Sequence, residues 1–130
     1  MKLLLDTHTF LWLIAGDPNL SPSARQAIEN PANESVLSVA SLWEMAIKVS
    51  LGKLTLDFAL PFAEAIGGQL RDNGISVLPL ELAHVGQVAV MSFHHRDPFD
   101  RLIVAQALVE GIPVVGRDPA FDPYGVQRIW

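Results

Sequence analysis

The chain reads as an α/β domain with a parallel sheet covered on both faces. Short apolar runs that suit buried strands alternate with longer segments of helical periodicity along the whole length. The runs are apolar nearly throughout rather than at every second residue, as strands buried on both sides require. Half of the 130 residues are hydrophobic and only 18% are charged, enough for one core that buries roughly two-thirds of the unfolded surface.

Strand-like runs occupy Lys2–Asp6, Ser35–Val39, Ile75–Leu80, Pro113–Gly116 and Val126–Ile129. Helical patterns fill the gaps. Thr9–Ala15 carries Phe10, Leu11, Leu13 and Ile14, and Ser21-Pro22 opens a short helix with a capping serine and proline at the first position. Ala40–Leu51 is apolar apart from Ser41, Glu44, Lys48 and Ser50, and Pro61–Asn73 stops at Asn73-Gly74. Glu81–Met91 is amphipathic, and Pro98–Glu110 ends at Gly111. No repeat, linker or low-complexity tract divides the chain, so residues 1–130 are expected to form a single domain.

No segment approaches the ~20 apolar residues of a membrane-spanning helix, and Met1-Lys2 followed by three leucines and a charge is no signal peptide. The expectation is a cytoplasmic protein that does not meet a membrane. The absence of cysteine excludes disulfides and thiolate metal sites. A net charge of −5 sits awkwardly with nucleic-acid binding, which ordinarily uses a basic face that releases counterions. Either the acids are concentrated at a metal site, or nucleic acid is not the ligand.

Four acids punctuate core-forming segments. Asp6 ends the first apolar run, Glu44 lies inside an apolar helix, Asp100 falls in the first turn of another, and Asp118 follows the fourth strand-like run. In open parallel sheets, sites form beyond the carboxyl ends of the strands; Asp6 and Asp118 stand at such ends, and the two helical acids lie at the same edge. Each has a plainer reading. Asp6 could cap the next helix and Asp118 could serve the turn at Pro119. Glu44 could pair with Lys48 one helical turn on. Asp97 reads as an N-cap before Pro98, which puts Asp100 at a position where the helix dipole favours an acid. Yet Leu102–Ala105 and Ala107–Val109 make that helix apolar almost all round, and an acid at the mouth of a buried helix needs a cation. Convergence of the four on one hard cation is therefore expected, Mg²⁺ or Mn²⁺ rather than Zn²⁺. The histidines show no metal-ligand spacing: His94-His95 are adjacent, His8 and His84 stand alone, and all are expected in surface or loop positions.

No Ser-His-Asp logic, glycine-rich phosphate loop or Gly-Lys-Ser/Thr triplet is present, which disfavours acyl transfer and nucleoside-triphosphate hydrolysis. Clustered carboxylates repel and retain protons until a divalent ion neutralises them. Such an ion acidifies water and steadies charge on a phosphoryl oxygen, so phosphodiester hydrolysis follows naturally. Lys48, Arg96, Arg101 and Arg117 are available to hold phosphates.

Four blocks carry a family resemblance that runs almost end to end: Leu4-Leu5-Asp6-Thr7-His8 with Leu11-Trp12; Ser41-Leu42-Trp43-Glu44 with Lys48 and Gly52-Lys53-Leu54; Asp97-Pro98-Phe99-Asp100-Arg101; and Gly116-Arg117-Asp118. In these the chain resembles a PIN-domain nuclease, specifically the VapC-type toxin of VapBC toxin–antitoxin pairs. The resemblance implies a three-layer α/β/α fold around a five-stranded parallel sheet and Mg²⁺-dependent endoribonuclease activity. It also implies dimerisation and inhibition by a cognate antitoxin whose tail occupies the cleft. Asp6 matches the first metal-binding aspartate, Glu44 the helix glutamate, Asp100 the third acid and Asp118 the fourth, with Asp97 an alternative at the third position. Metal ligation falls to Asp6, Asp100 and Asp118. Gly116 replaces the threonine common there, costing one hydrogen bond near the fourth acid.

Two other readings fit part of this pattern. A phospho-accepting signalling domain also gathers aspartates at strand ends around Mg²⁺, but it wants a lysine after a late strand and leaves Glu44 unexplained. A silent binding module of the same fold would not need all four acids.

Overall fold

The computed structural model describes residues 1–130. Its strands are β1 (Lys2–Leu5), β2 (Glu34–Ser38), β3 (Ser76–Leu78), β4 (Val114–Val115) and β5 (Arg128–Ile129). Its helices are α1 (Thr7–Ala15), α2 (Pro22–Glu29), α3 (Val39–Ser50), α4 (Phe62–Asp72), α5 (Leu82–Val90) and α6 (Pro98–Glu110), with a 3-10 helix over Pro119–Tyr124. All four strand pairings are parallel, in the order β3-β2-β1-β4-β5.

The alternation along β1 shows why both faces must be covered. Leu3 and Leu5 join Phe10 of α1, Ala24 of α2, Met45 of α3 and Ile66 of α4 in one core. Leu4 points the other way, to Ile103, Val104 and Ala107 of α6 and to Phe121. Val36 and Leu37 of β2, and Val114 and Val115 of β4, divide between the same two cores. With period-two side chains apolar on both faces, the sheet needs helices on each side, and the result is the expected three-layer α/β/α sandwich. At roughly 25 cal/mol per Å² of apolar area, these buried leucines and valines are the main source of stability.

Some boundaries differ from the sequence expectation. Val39 belongs to α3, because the Ser38 hydroxyl accepts from Ala40 N at 3.0 Å and starts the helix directly at the strand end. β3 stops at Leu78, since Pro79 has no N–H for a ladder. Helix α1 begins at Thr7, two residues early. The residues after Asp118 form a 3-10 helix where the sequence suggests only a turn. His84 is not on the surface: it is fully buried, its Nδ1 accepting from Glu81 N at 3.0 Å and its Nε2 lying 2.9 Å from Glu110 Oε1. It joins the start of α5 to the end of α6.

Sheet order has a direct consequence. From β1 the chain adds β2 and β3 on one side and β4 and β5 on the other, so the strand order reverses between β1 and β4. A crevice opens outside the carboxyl ends at such a switch point. Asp6 and Gly116-Arg117-Asp118 are the segments that leave those two ends.

Candidate metal and phosphodiester site

Asp6 occupies the N-cap position of α1, yet its carboxylate makes no capping hydrogen bond. It is buried, at 5% exposure, and has no cationic partner. Burial pushes its carboxyl from 3.8 up to about 6 against the pull of the Thr7 amide, and Glu44, Asp118 and Asp97 add to the rise. Asp100 arrives from the first turn of α6. Burial, then the charges of Asp6 and Asp97, push it up to about 7, with His95 opposing and Glu44 adding a smaller push. Two carboxyls raised this far above the ordinary aspartate value mark an acid cluster short of positive charge.

Asp118 lies at the rim, its side chain 48% exposed. It does cap a helix, with Oδ1 accepting from Ala120 N at 2.9 Å; its Oδ2 turns towards the cluster. One ligand atom each from His95, Asp100 and Asp118 lies within 4.8 Å of the others. Asp97 is the α6 N-cap, accepting from Phe99 N at 2.8 Å and Asp100 N at 3.1 Å. One of its oxygens is thereby committed to the helix, while Asp100 projects into the cluster.

Glu44 is buried beside them, with both oxygens engaged. Oε2 accepts from Lys48 Nζ at 2.8 Å, and Oε1 lies 2.8 Å from the Thr7 hydroxyl. Thr7 Oγ1 is also 2.9 Å from Ser41 Oγ. Because a carboxylate only accepts, the Thr7 proton goes to Glu44 and Ser41 donates to Thr7. The Glu44–Lys48 ion pair that the sequence suggests thus forms, in the wall of the site rather than on open surface. Thr9 adds a second tie from α1, donating to Val115 O at 2.8 Å.

The phosphate-holding candidates separate. Arg117 is exposed and lines a hollow of about 360 Å³ with Asp6, His8, Trp12 and Asp118; its guanidinium stands 5.8 Å from the Trp12 ring centre. Arg96 is exposed one residue from Asp97. Lys48 is held by Glu44, which raises its pKa. Arg101 is a correction. It is buried, donating to Ser92 O at 3.0 Å, Tyr124 Oη at 3.3 Å and Val88 O at 3.4 Å, and it packs over Phe93 at 4.3 Å. The turn of α6 that presents Asp100 to the cluster points Arg101 into the protein, where it straps α5 to α6.

Gly116 sits against the cluster. A Cβ there would come within 3.2 Å of both Asp6 Cβ and the Phe121 ring. Its lack of a side chain therefore lets Phe121 and Asp6 approach closely. Sequence reasoning missed Thr7, Ser41, Phe121 and His95. His95 lies two residues before a capping aspartate, which gives it no recognisable ligand spacing.

A larger groove of about 640 Å³ runs beside the acids, between α1 and the segment 54–58, with Thr7, His8 and Lys48 at its inner edge. The cluster itself opens onto the smaller hollow under Arg117. Its donor set suits a hard divalent ion: Asp6, Asp100 and Asp118 offer only oxygens, no sulfur competes, and the excess negative charge is uncompensated.

A switch-point acid cluster on a five-stranded parallel sheet defines an α/β protein with a candidate metal centre. The PIN domain model matches residues 3–126, and the chain belongs to that family. Ribonuclease VapC22 of Mycobacterium tuberculosis is 32% identical over 117 residues, 89% of this chain and 86% of that protein. Two solved structures share the fold at 16% identity. VapBC2 from Rickettsia felis, bound to a DNA fragment from its promoter, superposes with a TM-score of 0.70 over 98% of this chain and 97% of its own. VapBC-1 from nontypeable Haemophilus influenzae gives 0.68 over 98% and 96%.

Proposed function

We propose that this chain is a metal-dependent endoribonuclease that acts as the toxin of a toxin–antitoxin pair. The observation that carries the reading is buried Asp6 and half-buried Asp100, brought from β1 and α6 to one crevice with no lysine or arginine to neutralise them. Homology to a ribonuclease over most of the chain supports it.

Asp6, Asp100 and Asp118 would hold Mg²⁺, or Mn²⁺ in its place. Bound there, the ion supplies Lewis acidity for a phosphoryl oxygen and for water. The chain does the rest. Its aspartates would orient the ion, and Glu44 fixes Thr7 and Lys48 as the wall behind it. Arg117 and Arg96 hold flanking phosphates. Water adds to phosphorus, one P–O ester bond breaks, and the proton that the water loses ends on the leaving sugar oxygen. Local attraction at this site offsets the net charge of −5.

The partners follow from the same reading. A cognate antitoxin covers the groove between α1 and residues 54–58, as expected for a relative of VapBC proteins, and a second copy of the chain completes a homodimer. No helix is long and apolar enough to cross a membrane. The phospho-accepting alternative is disfavoured by strand order, since receiver-type sheets run 2-1-3-4-5 and this one runs 3-2-1-4-5.

The test is direct. Purified protein with Mg²⁺ or Mn²⁺ should cleave RNA, and Asp6→Asn or Asp100→Asn should reduce the rate by on the order of a hundredfold or more, the scale of a lost electrostatic contribution at a reacting centre. Full rates in either variant would remove the assignment.

A further inference from the structure

His95 is held on three sides. Its Nδ1 accepts from Asp97 N at 3.1 Å, and its ring stacks on buried Phe121 with centroids 6.2 Å apart and planes 20° from parallel. Its Nε2 lies 3.2 Å from Asp100 Oδ2 and 3.4 Å from Asp118 Oδ2, the latter in hydrogen-bond geometry. These contacts decide the tautomer. An amide N–H can only donate, so the nitrogen it meets carries no proton and the ring proton sits on Nε2. A protonated Nε2 has no lone pair for a metal. The group formed by His95, Asp100 and Asp118 is therefore not a His-plus-carboxylate triad.

We propose that His95 is a positioning residue for the carboxylate centre, its Nε2–H donating to Asp118 while the ring lies against Asp100, so that their other oxygens face a divalent cation. This rests on the metal reading above and adds to it the device that sets the two side chains. Asp118 needs one, because it projects from a half-exposed loop whose only other restraint on the carboxylate is the cap to Ala120. Asp100 and Asp118 come from α6 and from the segment after β4, and His95 is the side chain that reaches both. Asp97 gains a second task, through its backbone: its N–H selects the His95 tautomer while its side chain caps α6. Groups that hydrogen-bond ligating carboxylates in this way typically change metal affinity by about 10–100-fold when removed.

Calorimetric titration of Mn²⁺ into the full chain, with His95→Ala and His95→Gln alongside, reads this directly. His95→Ala should weaken binding by on the order of tenfold or more, and His95→Gln, whose amide restores an N–H donor, should recover most of the loss. Nitrogen-15 spectra of the metal-free protein at mildly alkaline pH should show the His95 proton on Nε2 and none on Nδ1. Unchanged affinity in His95→Ala, no recovery in His95→Gln, or the opposite tautomer would each overturn the positioning role. Failure of the unmodified chain to take up Mn²⁺ would overturn the metal reading itself, a distinguishable result.

Discussion

Asp6 and Asp100 set the behaviour of the metal-free protein. Both are raised from the ordinary aspartate value, to about 6 and about 7, so between roughly pH 4 and 7 the folded chain holds more protons than the unfolded one. Stability then falls as pH rises. The penalty is absent below the unfolded value of 3.8, grows as pH climbs, and is complete above about 7. Each tenfold change in proton affinity on folding is worth about 1.4 kcal/mol. Urea unfolding in the presence of a chelator should therefore give a free energy greater at pH 5 than at pH 8 by roughly 2–4 kcal/mol. A flat or rising profile would mean the two carboxyls are compensated by something other than protons. The plainer readings of the acids meet different fates here. Asp118 does cap a helix and still faces the cluster, Glu44 does pair with Lys48, and Asp6 caps nothing. Asp6 is legible in the sequence, as a charge ending an apolar run. His95 is not, because its role depends on Phe121 and Asp118, both more than twenty residues away.

At the level of the element, α6 shows how one helix separates structural from chemical acids. Asp97 satisfies the first amides, Pro98 fits the first turn without needing an N–H, and Asp100 is left to face the crevice. Asp97→Ala should therefore cost about 1 kcal/mol of stability while RNA cleavage stays within several-fold of the unmodified rate, measured beside an inactive Asp100→Ala. Equal loss of cleavage in the two variants would undo that division. The helices themselves are readable because caps, prolines and apolar spacing act within a few residues: Ser21-Pro22 begins α2 and Gly111 ends α6 as expected. Strand ends are less readable. β4 and β5 pair over only two residues each, so their limits depend on neighbouring chain rather than on their own composition. Arg101 misleads for a related reason. Its charge suggests phosphate, but the pitch of α6 turns it inwards to carbonyls at the end of α5 and in the segment after it.

Across the whole molecule, one cation would join segments that are remote in sequence: the end of β1, the start of α6 and the loop after β4. Mn²⁺ at about a hundredfold over its dissociation constant should add about 3 kcal/mol to the unfolding free energy, and chelation should remove it. An unfolding midpoint indifferent to Mn²⁺ would show that the acids do not act together. By itself the order of residues determined the α/β class, the alternation of strand and helix, and the four acids, since hydrophobic period and capping chemistry are local. Only the tertiary structure decided that β1 and β4 are neighbours, that Asp6 is buried without a partner, that Arg101 is a strap, and that His95 lies between two aspartates. Those facts depend on strand order and on contacts between distant segments, which short-range periodicity does not encode.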